Sequence, residues 1–310
     1  MELLDIRQLR AFQELARHES FTEAASHLHL TQSAVSHSIK ALESHLQVSL
    51  FERMGKQVRL TAEGDALLPH ADAIVQRMEK ALNDVITVNK PGHGRLRIGA
   101  SVTISQYVLP PILRELRECF PNYEYAVSTE NNKNLVGMLE KGQLDIVVAL
   151  ESAVPPRLCF DPVFSDQIEM ALSPVHPLAG ADRITYEDIV DEDFIIFDRE
   201  SETYRLIDDI FADRKDRFQP SLQVGSMAAI KEMAKIGLGI GLLAPWVARE
   251  EIKAGTLIFK PLPLREANRT WGIYSDSRHG KVLVENVFSG ICRSVFANLQ
   301  LQTCSVTAAA

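Results

Sequence analysis

Apolar residues recur at helical spacing through the first fifty positions of the chain. Ile6, Leu9, Phe12, Leu15 and Ala16 mark a first helix. Ser20-x-x-Glu23 forms a capping box that starts a second, striped by Phe21, Ala24, Ala25 and Leu28. After a turn at His29-Leu30, Thr31 caps a third helix whose inner side is Val35, Ile39, Leu42 and Leu46. Leu50 to Arg53, the turn Met54-Gly55-Lys56 and Gln57 to Thr61 then read as a β-hairpin. From Ala62 to about Asn89, Leu67, Ala71, Ile74, Met78, Ala81, Val85 and Val88 step by four and three, a heptad seam. At 1.5 Å per residue this helix spans roughly 40 Å, and Pro69 is expected to bend it in its first two turns. A seam of that length needs a partner, either the chain's own domain or a second copy.

Asn89-Lys90-Pro91-Gly92-His93-Gly94 interrupts the periodicity, and a domain boundary is expected there. Beyond it strands and helices alternate. Arg95–Ala100, Tyr123–Thr129 and Leu144–Leu150 read as strands around helices at Leu109–Phe120 and Leu135–Lys141. Strands at Ile168–Leu172 and Phe194–Phe197, helices at Tyr204–Arg214 and Met227–Ile236, a strand at Trp271–Tyr274 and a final helix at Val282–Asn298 follow. Thr303–Ala310 shows no element. This is the pattern of an open, mostly parallel α/β sheet in two lobes. The chain is expected to cross between lobes near Asp161–Ser165 and again near Glu266–Arg269.

Composition narrows the class. With 46% hydrophobic and 24% charged residues in 310 the chain is an ordinary globular protein of more than one unit. The start lacks a basic segment followed by an apolar stretch, and no run of 18 apolar residues occurs, so a cytoplasmic protein with no membrane contact is expected. Cys119, Cys159, Cys292 and Cys304 lie far apart, without metal-ligand spacing; they read as reduced thiols, and no metal or cofactor is expected. The net charge of −8 argues against a protein that coats nucleic acid. Residues 31–60 are locally basic, with Lys40, Arg53, Lys56 and Arg59 against Glu43 and Glu52.

The third helix carries Gln32, Ser33, Ser36, His37 and Lys40 opposite its apolar stripe. Amide, hydroxyl and cationic groups without an acid suit the major groove, where Gln binds the N6/N7 edge of adenine; the same face also fits a solvated helix surface. A basic hairpin beside it favours DNA, because Arg53, Lys56 and Arg59 would reach phosphates flanking the groove. Phe21-Thr22-Glu23-Ala24-Ala25, Thr31-Gln32-Ser33-Ala34-Val35-Ser36, Ile39-Lys40, Leu42-Glu43, Leu50-Phe51, Arg53 and Leu60-Thr61-Ala62-Glu63-Gly64 together resemble the signature of LysR-type transcriptional regulators. His37 stands where that family more often carries arginine, and a neutral imidazole gives a weaker, pH-dependent phosphate contact.

The resemblance implies an α + α/β chain. A winged helix-turn-helix would span residues 1–61, a linker helix 62–89, a hinge 90–94, an effector domain like that of periplasmic binding proteins 95–300, and a tail 301–310. Lobe 1 would hold about 95–163 and 268–300, lobe 2 about 164–267. It implies a homodimer through the linker helix, pairing of dimers into a homotetramer on double-stranded DNA, and contact with RNA polymerase for an activator. Thr31, Gln32, Ser33, Ser36, His37, Lys40, Arg53, Lys56 and Arg59 are the expected DNA-binding residues.

In open α/β sheets ligands lie beyond the carboxyl ends of strands. Ser101-Val102-Thr103, Thr129-Glu130-Asn131, Ser201-Glu202-Thr203 and Gly225-Ser226-Met227 occupy such junctions. Hydroxyls and unpaired N–H groups suit a small anion, although each Ser or Thr also reads as a plain helix cap. Ser101, Thr103, Thr129, Ser201, Thr203 and Ser226 are the expected effector contacts; Glu130 and Glu202 beside them suit instead a ligand that also carries an amine.

Three rivals are weaker. Gly239-Ile240-Gly241-Leu242-Leu243-Ala244 fits a loose dinucleotide pattern but follows a helix and lacks the acidic residue about twenty positions on, so it reads as a packed turn rather than a catalytic site. A thiol switch is disfavoured because Phe194–Phe218 contains no cysteine. A solute-binding protein would not carry the N-terminal DNA-reading unit.

Overall fold

The computed structural model describes residues 4–54, 57–88, 93–212, 219–277 and 282–307. The chain divides into two compact units that part between Gly94 and Arg95.

In the first unit, helices α1 (Ile6–His18), α2 (Phe21–His27) and α3 (Gln32–Leu46) precede an antiparallel hairpin, β1 (Phe51–Met54) and β2 (Gln57–Leu60), and a 27-residue helix α4 (Ala62–Val88). Each short helix starts where its sequence supplies a cap. Asp5 accepts the N–H of Arg7 at 2.8 Å, Ser20 that of Glu23 at 3.4 Å and Thr31 that of Ala34 at 3.2 Å. Leu9, Phe12, Leu15, Ala24, Val35, Ile39 and Leu42 are buried together with Leu50 and Val58 of the hairpin region. The Glu43 carboxylate accepts the N–H groups of Leu50 and Phe51 at 2.8 and 3.3 Å, tying α3 to the start of the hairpin. Thr61 accepts the N–H of Gly64 at 3.1 Å and donates to the Ser49 carbonyl at 2.7 Å. A side chain at Gly64 would meet the Leu50 carbonyl oxygen at 2.2 Å, so only glycine lets α4 approach the hairpin so closely. The Leu60-Thr61-Ala62-Glu63-Gly64 motif is thus a joint between wing and linker.

One cluster was hidden by sequence spacing because two helices build it. His18 of α1 stacks on His27 of α2 with ring centroids 4.1 Å apart, beside Glu14, and ligating-type atoms of the three lie within 4.8 Å of one another.

The heptad seam needs correction. Ala71 is fully buried and packs with Val75 in the core of its own unit, so it is not available to a partner. The exposed apolar stripe of α4 is Ile74, Met78 and Leu82, one residue per helical turn, with Ala81 beside it. The side chains of Val85 and Val88 lie outside the described residues. The helix continues through Pro69, whose missing N–H leaves the Asp65 carbonyl without its intrahelical donor.

The second unit opens with β3 (His93–Ala100), α5 (Val102–Tyr107), α6 (Leu109–Cys119), β4 (Asn122–Thr129), α7 (Asn132–Glu140) and β5 (Ile146–Leu150). It continues through β6 (Leu158–Leu172), β7 (Phe194–Ile196), α8 (Glu202–Ala212), β8 (Leu222–Gln223), α9 (Met227–Lys235) and β9 (Ile240–Leu243). A 3-10 turn (Pro245–Ala248), α10 (Arg249–Lys253), β10 (Ile258–Lys260), β11 (Ala267–Asp276) and α11 (Leu283–Thr307) complete it. The strands run in the order β4-β3-β5-β11-β6-β9-β7-β8, with β10 also paired to β6. β3 lies parallel to β5, and β7 lies parallel to both β8 and β9.

Two long antiparallel strands join the lobes. β11 pairs with β6 along its whole length, from Ala267 opposite Ile168 to Asp276 opposite Leu158. Its later half also pairs with β5 of one lobe, while Glu169–Ala171 of β6 pairs with β9 of the other. Sequence reading found only the apolar end of β6, Ile168–Leu172. Its first ten residues alternate exposed, half-buried and buried positions, and Asp161 and Pro162 mask the strand signal. Helix α11 likewise runs to Thr307, beyond the expected end at Asn298, and the segment from Thr303 that shows no element in the sequence is helical as far as that residue. No Gly or Pro interrupts Leu299–Thr307. Gly239 has a packing role: a side chain there would meet the Asp193 carbonyl oxygen at 2.4 Å, where α9 turns into β9. Among the described residues no helix is long and apolar enough to cross a membrane.

Candidate DNA-reading face and effector cavity

On α3 the buried and exposed faces separate as the spacing requires. Val35, Ile39 and Leu42 are at most 3% exposed, while Gln32, Ser33, His37 and Lys40 are exposed and Ser36 is half-buried. Thr31 and Ser33 share a hydroxyl–hydroxyl bond of 3.0 Å, so the capping residue also steadies its neighbour on the exposed face. Gln32 lies in the first turn of the helix, clear of the core. In the hairpin Arg59 is exposed, and Arg53 pairs with Val58 in the backbone register. The Arg53 side chain and Lys56 lie outside the described residues.

The second unit contains a cavity of about 260 Å³ at the strand ends where its lobes meet. Five of the six expected contacts line it: Ser101, Thr103, Thr129, Ser201 and Thr203. Ser226 does not. It stands between two lining residues, Gly225 and Met227, as the capping residue of α9, and makes no side-chain capping bond.

The hydroxyls differ in what they have left to offer. Ser101 caps α5 by accepting the N–H of Ile104 at 3.4 Å, which leaves its proton uncommitted among the described residues. Ser201 is fully engaged, accepting from Tyr204 N–H at 3.0 Å and donating to the Asp198 carbonyl at 2.8 Å. Thr129 and Ser105 bond to each other at 3.0 Å. Thr203 accepts from Arg269 at 2.8 Å. Thr103 is 3% exposed, and its hydroxyl makes no hydrogen bond among the described residues.

Sequence reading missed the wall that supports these groups. Asp166 of β6 accepts from Arg269 Nε at 2.8 Å and Nη2 at 2.5 Å, from Trp246 Nε1 at 2.7 Å and from Trp271 Nε1 at 3.0 Å. The Asp166 and Arg269 side chains are only 3% and 4% exposed. Arg269 and Trp271 line the cavity, and Arg269 Nη1 reaches Thr203 on the first turn of α8. The joining strands and one rim of the cavity therefore share a single buried ion pair. On β5, which pairs with β11 at Trp271, the Leu150 carbonyl accepts from Asn132 Nδ2 at 2.7 Å and from the Tyr274 hydroxyl at 2.9 Å. Burial pushes the Tyr274 phenol above its ordinary value, so it stays a neutral donor. Alternation along β11 places Arg269 and Trp271 on one face, a signal the sequence did contain.

Comparison with known proteins fixes the class. Residues 6–65 match the family described as "Bacterial regulatory helix-turn-helix protein, lysR family", and residues 89–296 match "LysR substrate binding domain". The HTH-type transcriptional regulator YeiE of Escherichia coli (strain K12) is 30% identical over 277 residues, covering 89% of this chain and 93% of that protein. The RuBisCO operon transcriptional regulator of Allochromatium vinosum is 29% identical over 283 residues, covering 90% and 92%. The chain belongs to the LysR family of DNA-binding transcriptional regulators, with an effector-binding domain behind its helix-turn-helix. A full-length OxyR variant from Pseudomonas aeruginosa aligns with TM-score 0.70 at 21% identity, covering 94% of this chain and 98% of that one. CbnR complexed with its target DNA aligns with TM-score 0.68 at 18% identity, covering 94% and 99%. At those identities the structural likeness establishes the fold alone. LysR regulators bind DNA and effectors and form oligomers.

Proposed function

We propose that α3 is the recognition helix, with Gln32, Ser33, Ser36 and Lys40 at base edges or nearby phosphates, Thr31 and His37 at its flanks, and Arg53, Lys56 and Arg59 on the backbone beside the groove. The observation that carries this is the separation on α3 between a buried apolar stripe and an exposed polar face without an acid. The effector occupies the 260 Å³ cavity, with an anionic group toward Ser101 and Thr103. A volume below the roughly 300–1,000 Å³ usual for drug-sized ligands calls for a small metabolite. Two copies pair through the Ile74, Met78 and Leu82 stripe of α4, presenting two recognition helices to a roughly symmetric operator, and dimers pair into a tetramer. The protein works in the cytoplasm; as an activator it would also touch RNA polymerase. Effector alters DNA affinity only through the difference in its own affinity for the two lobe arrangements.

Selection of bound sequences from a random pool, followed by titration of the selected operator, tests the assignment of α3. Gln32→Ala is expected to cost about 1–3 kcal/mol at the cognate site and to relax preference at one base position. Arg53→Ala is expected to weaken all sequences alike and to lower the salt slope by about one. An unchanged base preference in the Gln32 variant removes that residue from base reading.

A further inference from the structure

We propose that the effector carries a protonated amine as well as its anionic group, so that the cavity takes a zwitterion of amino-acid size. This rests on the reading of the cavity as the effector site and adds the charge pattern that the site selects.

Four carboxylates line the cavity: Glu130, Asp198, Glu200 and Glu202. Among the described residues Arg269 is the only cationic side chain in that lining, and it is bonded through two nitrogens to buried Asp166. Its charge is therefore balanced before any ligand arrives. Of the four carboxylates only Glu202 has a cation against it among the described residues, Arg205 at 2.8 Å. Glu130 and Asp198 accept from neutral donors: Asn134 Nδ2 bonds Glu130 at 3.1 Å, and the Glu200 N–H bonds Asp198 at 3.1 Å. The rim is thus net negative. A ligand with carboxylates alone would bring like charge against it, whereas an ammonium group finds several acceptors. Phe197, also in the lining, adds an aromatic ring, whose face attracts a cation.

A buried hydroxyl in the lining points to a ligand independently. Thr103 lines the cavity at 3% exposure with its hydroxyl unpaired among the described residues. A buried hydroxyl without a partner destabilises the fold, and an arriving carboxylate oxygen would accept its proton. The Ser101 hydroxyl, which uses only its acceptor side, offers a second donor. Hydroxyl donors with uncommitted protons and carboxylates in excess of cations, together in one lining, match the two charged groups of a zwitterion.

The test uses the full chain and its intrinsic fluorescence, because Trp271 lines the cavity. Three matched sets of probes are titrated: the common L-amino acids, the corresponding acids lacking the amine, and the corresponding amines lacking the carboxylate. The expected result is saturable binding of at least one amino acid, with its des-amino partner at least about tenfold weaker. Glu200→Gln and Asp198→Asn, both at exposed positions and no threat to folding, should close most of that gap. Equal binding of the des-amino acid, with sensitivity to Thr103→Val, overturns the amine requirement and leaves the cavity as effector site. Equal binding of the plain amine, or no response to any amino acid at millimolar concentration, also overturns the zwitterion. Binding that ignores both the acidic substitutions and Thr103→Val overturns the cavity assignment itself.

Discussion

Replacing Asp166 by alanine should be among the most damaging single changes in the second unit. Four N–H groups from three residues converge on this carboxylate, and the arginine side chain it balances is only 4% exposed. Without it Arg269 retains its bond to Thr203 but no counter-charge, and both indole N–H groups lose their acceptor. Breaking a buried pair by removing one partner costs about 3–5 kcal/mol. The orphaned indoles add to this, though not by simple summation. Against a total stability of about 5–15 kcal/mol that is a large fraction, and at about 2–4 °C per kcal/mol it corresponds to a fall in Tm of roughly 6–20 °C. The assay is urea and thermal unfolding followed by tryptophan fluorescence. The chain's two tryptophans, Trp246 and Trp271, are both donors to Asp166, so the signal arises at the perturbed site. A double variant, Asp166→Leu with Arg269→Met, removes both charges and should recover much of the loss, because buried pairs often exchange for apolar groups at little cost. A single variant that loses under about 1 kcal/mol refutes the reasoning, as does a double variant no more stable than the single.

Leu82→Asp should abolish the proposed pairing through α4 and lower the sedimenting mass at micromolar concentration while circular dichroism stays unchanged, since Leu82 is 60% exposed and serves no core; an unchanged mass rejects the α4 stripe as the interface. Glu169, on β6, has its carboxyl raised above the ordinary range by burial. Its ionised form therefore opposes folding, a cost fully present above the folded value and absent below the unfolded value of about 4.5. Glu169→Gln should raise Tm at pH 7, with the gain shrinking as pH falls toward about 4; a gain independent of pH would show another cause. Lys231 and Glu251 bond at 2.9 Å. Burial opposes both charges, but their mutual bond prevails, holding the lysine above and the glutamate below its ordinary value. Stability from this pair is present from neutral pH upward to the lysine's unfolded range, declines as pH rises through its folded value, and declines on the acid side as pH falls through the folded value of Glu251. Lys231→Met should flatten the loss at both edges of a Tm-versus-pH curve.

Local signals carried the first unit almost completely. Ser20, Thr31 and Thr61 act on backbone groups three residues away, so their motifs can be read as the bonds they form. The polar face of α3 was equally legible, because helical period alone separates Gln32 and His37 from Val35 and Ile39. What spacing could not reveal was competition for a single face. The heptad rule puts Ala71 on one seam with Ile74 and Met78, yet its own unit takes Ala71 into the core, and the exposed stripe keeps Ile74 and Met78 and adds Leu82. The cavity shows the same limit more sharply. Its hydroxyls sit at strand-to-helix junctions that periodicity locates, and five of six do line it. Its character, however, comes from Asp166 meeting Arg269 across 103 residues and Trp246 across 80. Those contacts cancel the one positive charge among the described lining residues that could have marked the site for anions. A sequence displays each charge but not which ones neutralise each other. The sign of a binding site is therefore a property of the pairing that folding imposes, and here, among the described lining residues, the pairing leaves carboxylates in excess of cations.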